Sequence, residues 1–170
     1  MSAPPLRVAG LTMAYGDRVI QRDLTFDVHR GAIFAIMGGS GCGKSTLLRH
    51  LVGLESPAAG DILYHGQSLA GASERQRRSL QRRWGISYQS GGLFSAMTLA
   101  ENVALPLEQH TAYTPAEIAD IVAYKLALVG LAGYQDFLPA ALSGGMRKRA
   151  ALARAIALDP EFLFFDEPSA

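Results

Sequence analysis

The order of apolar and polar positions predicts strands and helices in alternation along the chain. Leu24, Phe26 and Val28 alternate with polar neighbours, which is typical of a strand with one exposed face. The continuous apolar run at residues 32–37 predicts a strand that is covered on both faces. Residues 44–53 place leucines at helical spacing and end at a glycine that suits a helix C-cap. This segment therefore has the order strand, glycine-rich loop, helix.

The alternation continues towards the last residues of the chain. Short strands are predicted at residues 61–64 and 85–88, and helices at residues 74–84, 98–107, 114–130 and 147–158. The clearest helix start combines Thr114 as N-cap with Pro115 at the first helical position and Glu117 three residues after the cap. An apolar run from Phe162 predicts a final buried strand, so the pattern as a whole indicates an α/β fold.

Composition excludes several classes of protein. The 170 residues suffice for one domain with its own core, and 49% hydrophobic against 18% charged residues indicates a globular chain. Because the formal net charge is only +1, no nucleic-acid partner is expected. The single cysteine, Cys42, excludes an internal disulfide. No apolar run of about 18 residues predicts a membrane span, and the N-terminus lacks a secretory pattern.

The segment between the predicted strand and helix has the pattern of a phosphate-binding loop. It matches G-x-x-x-x-G-K-[ST] at Gly38, Gly39, Ser40, Gly41, Cys42, Gly43, Lys44 and Ser45. Glycines allow backbone N–H groups to wrap a phosphate, and the helix N-terminus adds partial positive charge. Lys44 is expected to reach the β- and γ-phosphates of a nucleotide, Ser45 to bind Mg²⁺, and Thr46 to lie beside the α- and β-phosphates.

Two carboxylates at the end of the final strand would complete the nucleotide chemistry. Ligands of open α/β sheets bind at the carboxyl ends of the strands, which is where Asp166 and Glu167 are expected. Asp166 is predicted to help hold Mg²⁺, and Glu167 to orient or deprotonate water on the γ-phosphate side. Without the phosphate-binding loop, an apolar strand ending in two acids would be weak evidence.

A second glycine-rich loop separates this chain from most phosphate-loop proteins. It precedes another predicted helix and consists of Leu142, Ser143, Gly144, Gly145 and Met146. This loop resembles the signature motif of ATP-binding cassette (ABC) ATPases, usually LSGGQ, with methionine in place of the glutamine. The resemblance extends over essentially the whole chain. It implies a P-loop NTPase fold with an antiparallel β subdomain, a mainly parallel core sheet and a helical subdomain.

The resemblance to ABC ATPases also implies an organisation and a set of residue roles. Residues 1–170 would form a single ABC ATPase domain, with the β subdomain and core at about 1–90 and 150–170 and the helical region at about 91–149. Tyr15 would stack on adenine, and Gln89 would contact Mg²⁺ and the attacking water. Ser143–Met146 of one subunit would close on the ATP of a second subunit in a head-to-tail homodimer. The implied cofactors are ATP and Mg²⁺.

A narrower resemblance concerns the transported molecule. The chain is similar to ATPases of the bacterial Mla/Mce group, which serve the movement of phospholipids or other hydrophobic molecules, at Met37–Thr46, Ser90–Leu107 and Leu142–Arg147. This implies membrane permease subunits and lipid-binding periplasmic components as partners. It also implies a location at the cytoplasmic face of the bacterial inner membrane, peripheral through the permease. Leu93, Phe94 and Met97 would suit either a docking groove for a permease helix or plain core packing.

Other interpretations stay open on sequence grounds. They are a soluble ABC ATPase acting on ribosomes or DNA, an ATPase for a different cargo, and a nucleotide-binding module without turnover. The uninterrupted run from Gly43 to Ser143 favours the transporter, and Glu167 argues against the module. The arginines in Arg75–Arg83 suit a solvated face, a partner contact or anionic lipid. Because an ABC cassette continues with a D-loop and a histidine switch, we expect a chain that is incomplete at its C-terminus and hydrolyses ATP poorly as written.

Overall fold

The computed structural model describes residues 3–89 and 91–167, so Ser90, which belongs to a predicted Mla/Mce-like stretch, lies outside the described residues. The chain divides into two compact units, residues 1–81 and residues 82–170. The predicted single-domain organisation, with its boundaries near residues 90 and 150, stays a prediction.

The first unit is built on an antiparallel sheet. Its elements are β1 (Leu6–Tyr15), β2 (Arg18–Val28), α1 (Lys44–Leu51), β3 (Ala59–Tyr64), β4 (Gln67–Ser68) and α2 (Glu74–Gln81). The strand order is β2-β1-β3-β4, and every neighbouring pair is antiparallel. Buried apolar side chains of β1 alternate with more exposed ones, as a strand with one covered face requires. The predicted strands at residues 24–28 and 61–64 are confirmed within β2 and β3.

Helix α1 is joined to the sheet at its C-terminal end. The N–H of Gly53 donates to the His50 carbonyl at 3.0 Å, and the N–H of Leu54 donates to the Arg49 carbonyl at 2.8 Å. These two bonds, together with a φ of 69° at Gly53, form a Schellman motif and confirm the predicted glycine cap. The buried hydroxyl of Tyr64 in β3 donates to the Leu51 carbonyl at 2.7 Å. The end of α1 is therefore fixed relative to β3.

The second unit combines a parallel strand pair with three helices. Its elements are β5 (Trp84–Ser87), α3 (Leu99–His110), α4 (Pro115–Leu128), a short 3₁₀ turn (Pro139–Ala141), α5 (Gly144–Ala155) and β6 (Phe162–Phe165). Strands β5 and β6 are parallel, and their paired residues run from Trp84 with Phe162 to Ser87 with Phe165. The helices pack around a buried apolar cluster that includes Leu99, Leu107, Leu126, Leu131, Leu142 and Ala150.

The predicted starts of α3 and α4 are confirmed in this unit, whereas α5 begins at Gly144, three residues before the predicted residue 147. Thr114 accepts a hydrogen bond from the Glu117 N–H and its own N–H donates to the Glu117 carboxylate, so α4 begins with a capping box. The backbone bond to Thr114 is the main reason that the pKa of Glu117 lies below its usual value. Helix α3 begins with the same motif at Thr98 and Glu101. The capping box of α4 could be predicted because its residues are close together in the chain.

The predicted buried strand at residues 32–37 is wrong. The structure gives this segment no regular secondary structure, and Ile33 and Met37 are almost fully exposed. An apolar run favours burial, but a strand also needs a neighbour that completes its hydrogen bonds. Within residues 3–89 and 91–167 no strand pairs with this segment. The helix predicted at residues 74–84 is also shorter than expected, because Trp84 already begins β5.

None of the helices in the described parts of the chain is both long enough and apolar enough to cross a membrane.

Candidate functional site

The phosphate-loop pattern forms a tight loop at the start of α1. Lys44 is the first residue of α1, and its Nζ donates to the carbonyls of Gly38 at 2.9 Å and Gly39 at 3.1 Å. The lysine side chain therefore folds back over the loop that precedes it. A Cβ added at Gly39 or Gly41 would meet nothing within 4 Å, so open space lies beside these two residues. The loop thus offers an open, glycine-lined surface beside one ammonium group and a helix N-terminus, which suits an anion.

The β1–β2 hairpin supports this loop from one side. The side-chain amide of Gln21 in β2 donates to the Cys42 carbonyl at 3.1 Å. Gly43 has a φ of 100°, and a Cβ there would lie 2.7 Å from Cγ2 of Ile20. The loop and the hairpin are therefore in direct contact, and only glycine fits at residue 43. No local sequence pattern predicts this role of Gln21, because its partner is 21 residues away along the chain.

Tyr15 lies at the end of β1, at the tip of the same hairpin. The residue is 47% exposed, and its hydroxyl donates to the Glu55 carboxylate, at 2.8 Å from Oε1 and 2.7 Å from Oε2. Arg49 of α1 forms an ion pair with the same carboxylate at 3.3 Å. The hydrogen bond to Glu55, and after it the one to Tyr15, raises the pKa of Arg49 above its usual value. Tyr15 is thus an exposed aromatic residue whose hydroxyl is held by hydrogen bonds to Glu55.

In the second unit, three predicted site residues meet at the carboxyl edge of the parallel strands. The N–H of Asp166 donates to the Ser87 carbonyl at 3.0 Å, which continues the β5–β6 ladder by one bond. Beyond it, Nε2 of Gln89 donates to Oε2 of Glu167 at 3.0 Å. Glu167 has a φ of 48°, an unusual value for a residue with a side chain. The structure therefore brings Gln89, Asp166 and Glu167 together, although 78 positions separate Gln89 from Glu167 along the chain.

The second glycine-rich loop forms the start of α5. Ser143 is the N-cap, and its Oγ accepts a hydrogen bond from the Met146 N–H at 3.3 Å. Gly144 and Gly145 form the first turn of the helix. The side chain of Met146 packs against the buried cluster of the helices. Met146 therefore contributes its backbone to the cap and its side chain to packing.

Asn102 of α3 organises the loop that follows Gln89, a role the sequence analysis did not predict. It is fully buried; its Oδ1 accepts from the Phe94 N–H, and its Nδ2 donates to the carbonyls of Phe94, Met97 and Thr98 at 2.9 to 3.1 Å. A polar residue between apolar neighbours of an amphipathic helix is the signal that could have identified it. Leu93 packs against the buried cluster, whereas Phe94 stays 53% exposed.

Comparisons with known proteins agree with this geometry. A family profile described as ABC transporter matches residues 21–170. The chain belongs to the ABC transporter family. Its solved structural relatives include cbiO1 from Clostridium perfringens, part of the ABC transporter complex cbiONQ, with a TM-score of 0.87 and 29% identity. That alignment covers 99% of this chain and 67% of cbiO1.

A second structural relative carries a nucleotide. The ATP-binding cassette MJ0796, solved as a dimer in a post-hydrolysis state bound to ADP and Pi, has a TM-score of 0.86 and 26% identity over 96% of this chain and 74% of its own. These likenesses confirm the predicted P-loop NTPase fold of the ABC type.

The curated relatives of this ABC chain include proteins named for two different cargoes. The intermembrane phospholipid transport system ATP-binding protein MlaF of Haemophilus influenzae is 47% identical over 96% of this chain and 62% of its own length. MlaF of Escherichia coli K12 is 44% identical over 90% of this chain and 57% of its own length. The probable ribonucleotide transport ATP-binding protein mkl of Mycobacterium leprae is 43% identical over 96% of this chain and 47% of its own length. The chain thus spans less than two thirds of these relatives.

Proposed function

We propose that this chain is the ATP-binding and ATP-hydrolysing part of a bacterial ABC transporter that moves phospholipid or another hydrophobic molecule. The observation that carries the proposal is the phosphate loop, with Lys44 folded over Gly38 and Gly39 at the start of α1. Membership of the ABC transporter family supports the coupling to transport. The 47% identity to a phospholipid-system MlaF supports the cargo class.

The loop residues would bind the triphosphate of ATP through backbone and side chain. Gly38–Gly43 would supply N–H groups, Lys44 would exchange its carbonyl partners for the β- and γ-phosphates, and Thr46 would lie beside the α- and β-phosphates. This exchange is favourable because a charged phosphate is a stronger acceptor than a neutral carbonyl. The adenine would lie on the exposed ring of Tyr15. Cys42 and Ser40 would contribute their backbone N–H groups.

The protein ligands expected for Mg²⁺ are a hydroxyl, an amide and a carboxylate. Ser45, Gln89 and Asp166 all offer oxygen, which is the ligand type that Mg²⁺ prefers, and few protein ligands are needed when phosphates and waters supply the rest. Bound Mg²⁺ would neutralise phosphate charge during the transfer of the γ-phosphoryl group to water. Glu167 would orient or deprotonate that water, and its bond from Gln89 supports a shared role for the two side chains.

The loop Ser143–Met146 would act on the nucleotide of a second copy of the chain. Its serine hydroxyl and the N-terminal N–H groups of α5 suit the γ-phosphate oxygens of that nucleotide. The dimeric form of the related cassette MJ0796 supports a homodimer, and the proposed arrangement of the two copies is head-to-tail. Permease subunits would hold the dimer at the cytoplasmic face of the inner membrane, and lipid-binding periplasmic components would complete the system.

Two substitutions test the nucleotide chemistry in the intact transporter complex. Lys44→Ala should weaken ATP binding at least about 100-fold, since it removes a charged donor to the phosphates. Glu167→Gln should preserve ATP binding, lower turnover about 10²- to 10⁴-fold and stabilise the closed dimer. Glu161→Gln is a matched control, because Glu161 precedes β6 and pairs with Arg83 at 3.6 Å. Unchanged ATP affinity in Lys44→Ala, or unchanged turnover in Glu167→Gln, would contradict the proposal.

The cargo needs a separate experiment, because the mkl relative is named for ribonucleotide transport. We propose to purify the intact complex and to identify what is bound by solvent extraction and mass spectrometry. Phospholipid in the extract would support the proposed cargo class, and ribonucleotide bound outside the ATP sites would contradict it. Stable association with ribosomes or DNA in place of a permease would contradict the proposed transport function as a whole.

A further inference from the structure

One charged contact in the first unit, centred on Glu55, takes no direct part in the proposed nucleotide chemistry. The carboxylate of Glu55 accepts the hydroxyl of Tyr15 on both of its oxygens and pairs with Arg49 of α1. The side chain of Glu55 is only 22% exposed, whereas that of Arg49 is 57% exposed. The contact joins two segments 40 residues apart, the hairpin tip and the loop after α1. It therefore links the exposed aromatic ring to the helix that begins at the phosphate loop.

The backbone holds Glu55 in a fixed position. Its N–H donates to the Arg49 carbonyl at 3.3 Å, directly after the Schellman motif that ends α1. A few residues later, the N–H of Ala58 donates to the Thr12 carbonyl of β1 at 2.9 Å. The loop that carries Glu55 is thus anchored at one end to α1 and at the other end to the strand that carries Tyr15. A carboxylate held in this way is a rigid acceptor rather than a freely moving surface charge.

The hairpin is also fixed on the side of the phosphate loop. Gln21 donates to the Cys42 carbonyl, and Ile20 packs against Gly43 at a separation that leaves no room for a Cβ. The ring of Tyr15 is therefore located by two connections, one from the phosphate loop through β2 and one from the end of α1 through Glu55. Only the second connection reaches the side chain of Tyr15 itself.

We propose that Glu55 is a positioning residue that sets the orientation of the Tyr15 ring for the base of a bound nucleotide. The inference rests on the proposed ATP binding. Stacking depends on the angle and offset of the ring, and the contacts of the hydroxyl with the Glu55 carboxylate restrain the swing of the whole side chain that would change that offset. Because Glu55 acts on the ring and not on the loop, its effect is confined to ligands that carry a base.

The test compares the binding of two probes to the full chain by calorimetry: a non-hydrolysable ATP analogue and inorganic tripolyphosphate, each with Mg²⁺. Glu55→Ala and Tyr15→Phe should each weaken binding of the ATP analogue about threefold to tenfold and leave tripolyphosphate binding unchanged. The double variant should be no worse than either single variant, because both remove one interaction. Glu55→Gln, which keeps an acceptor oxygen, should recover most of the affinity. Asp27→Ala, which breaks the exposed pair with Arg7 at 2.7 Å in the same unit, should change neither affinity.

The outcomes separate this inference from the proposed function. Equal weakening of both probes in Glu55→Ala would show a general structural role and would overturn the inference, as would an unchanged affinity for the ATP analogue. Additive losses in the double variant would also overturn it. In each of these cases the proposed function survives if Lys44→Ala abolishes binding of both probes. Failure of the unsubstituted chain to bind either probe would instead overturn the proposed function and, with it, the inference.

Discussion

Two glycine-rich loops begin helices in this chain, and the two helix starts are built differently. Helix α1 begins after Gly43, which has a φ of 100° and no side chain that could cap the helix. Helix α5 begins after Ser143, which has an extended backbone and closes the first turn with its own hydroxyl. The first start is therefore made of backbone alone, whereas the second is completed by its serine. A backbone-only start suits direct wrapping of an anion, and a capped start is a finished helix end before any ligand arrives.

The two loops also differ in whether contacts within the chain require their glycines. A Cβ at Gly43 would collide with Ile20, so this glycine is required by the packing of its own unit. A Cβ at Gly145 would meet nothing within 4 Å, and Gly145 does not have a positive φ. Within the described residues nothing thus requires a glycine at residue 145. The close approach of a molecule outside this chain would give that glycine a function, which agrees with the proposed nucleotide of a second copy.

The largest effect is expected at the start of α1, which has no side-chain cap. Gly43→Ala should lower the free energy of unfolding by about 2–4 kcal/mol, because it combines an unfavourable φ with overpacking against Ile20. Gly39→Ala is the matched control for stability, since a Cβ there meets nothing within 4 Å. Denaturant unfolding of both variants measures the difference. Equal losses of stability in the two variants would show that packing against Ile20 does not require a glycine at residue 43, and the proposed difference between the two loops would then be wrong.

The separation of contacting residues along the chain explains which parts of the structure could be predicted from sequence. The phosphate loop and the capping box at Thr114 and Glu117 were predicted because each depends on residues that are close together in the chain. The contacts of Gln21 with Cys42 and of Tyr15 with Glu55 were not, because they join positions 21 and 40 residues apart. Sequence spacing carries no direct signal for such pairs.

The Gln89–Glu167 contact is an intermediate case. Both residues were predicted, Glu167 from the apolar strand that precedes it and Gln89 from the resemblance to ABC ATPases, but their hydrogen bond depends on the parallel register of β5 and β6. The strand predicted at residues 32–37 is absent because an apolar run alone does not make a strand. A strand also needs a neighbouring strand to complete its hydrogen bonds, and the local sequence does not show whether one is present. Local chemistry was therefore predictable, and pairing was not.

An intermediate effect is expected at the capped loop. Ser143→Ala removes the acceptor of the Met146 N–H and should lower the free energy of unfolding by about 1 kcal/mol. Thr114→Ala removes the equivalent cap of α4 and should cost a similar amount. Only Ser143→Ala should also slow ATP hydrolysis in the intact transporter complex. If the two variants lowered hydrolysis equally, the loss would reflect helix stability, and the proposed action of Ser143 on a second nucleotide would be wrong.

The smallest effect has the opposite sign and is the most informative for the comparison. Gly145→Ala places a better helix former in the first turn of α5, so the free energy of unfolding should rise by about 0.5–1 kcal/mol. Gly133→Ala is its matched control, because residue 133 has the same open surroundings but a φ of 86°, and alanine there should destabilise. Hydrolysis in the transporter complex should nevertheless fall in Gly145→Ala, since a methyl group would face the nucleotide of the second copy. A variant that is both more stable and equally active would mean that nothing approaches Gly145, and the signature loop would then be an ordinary helix start.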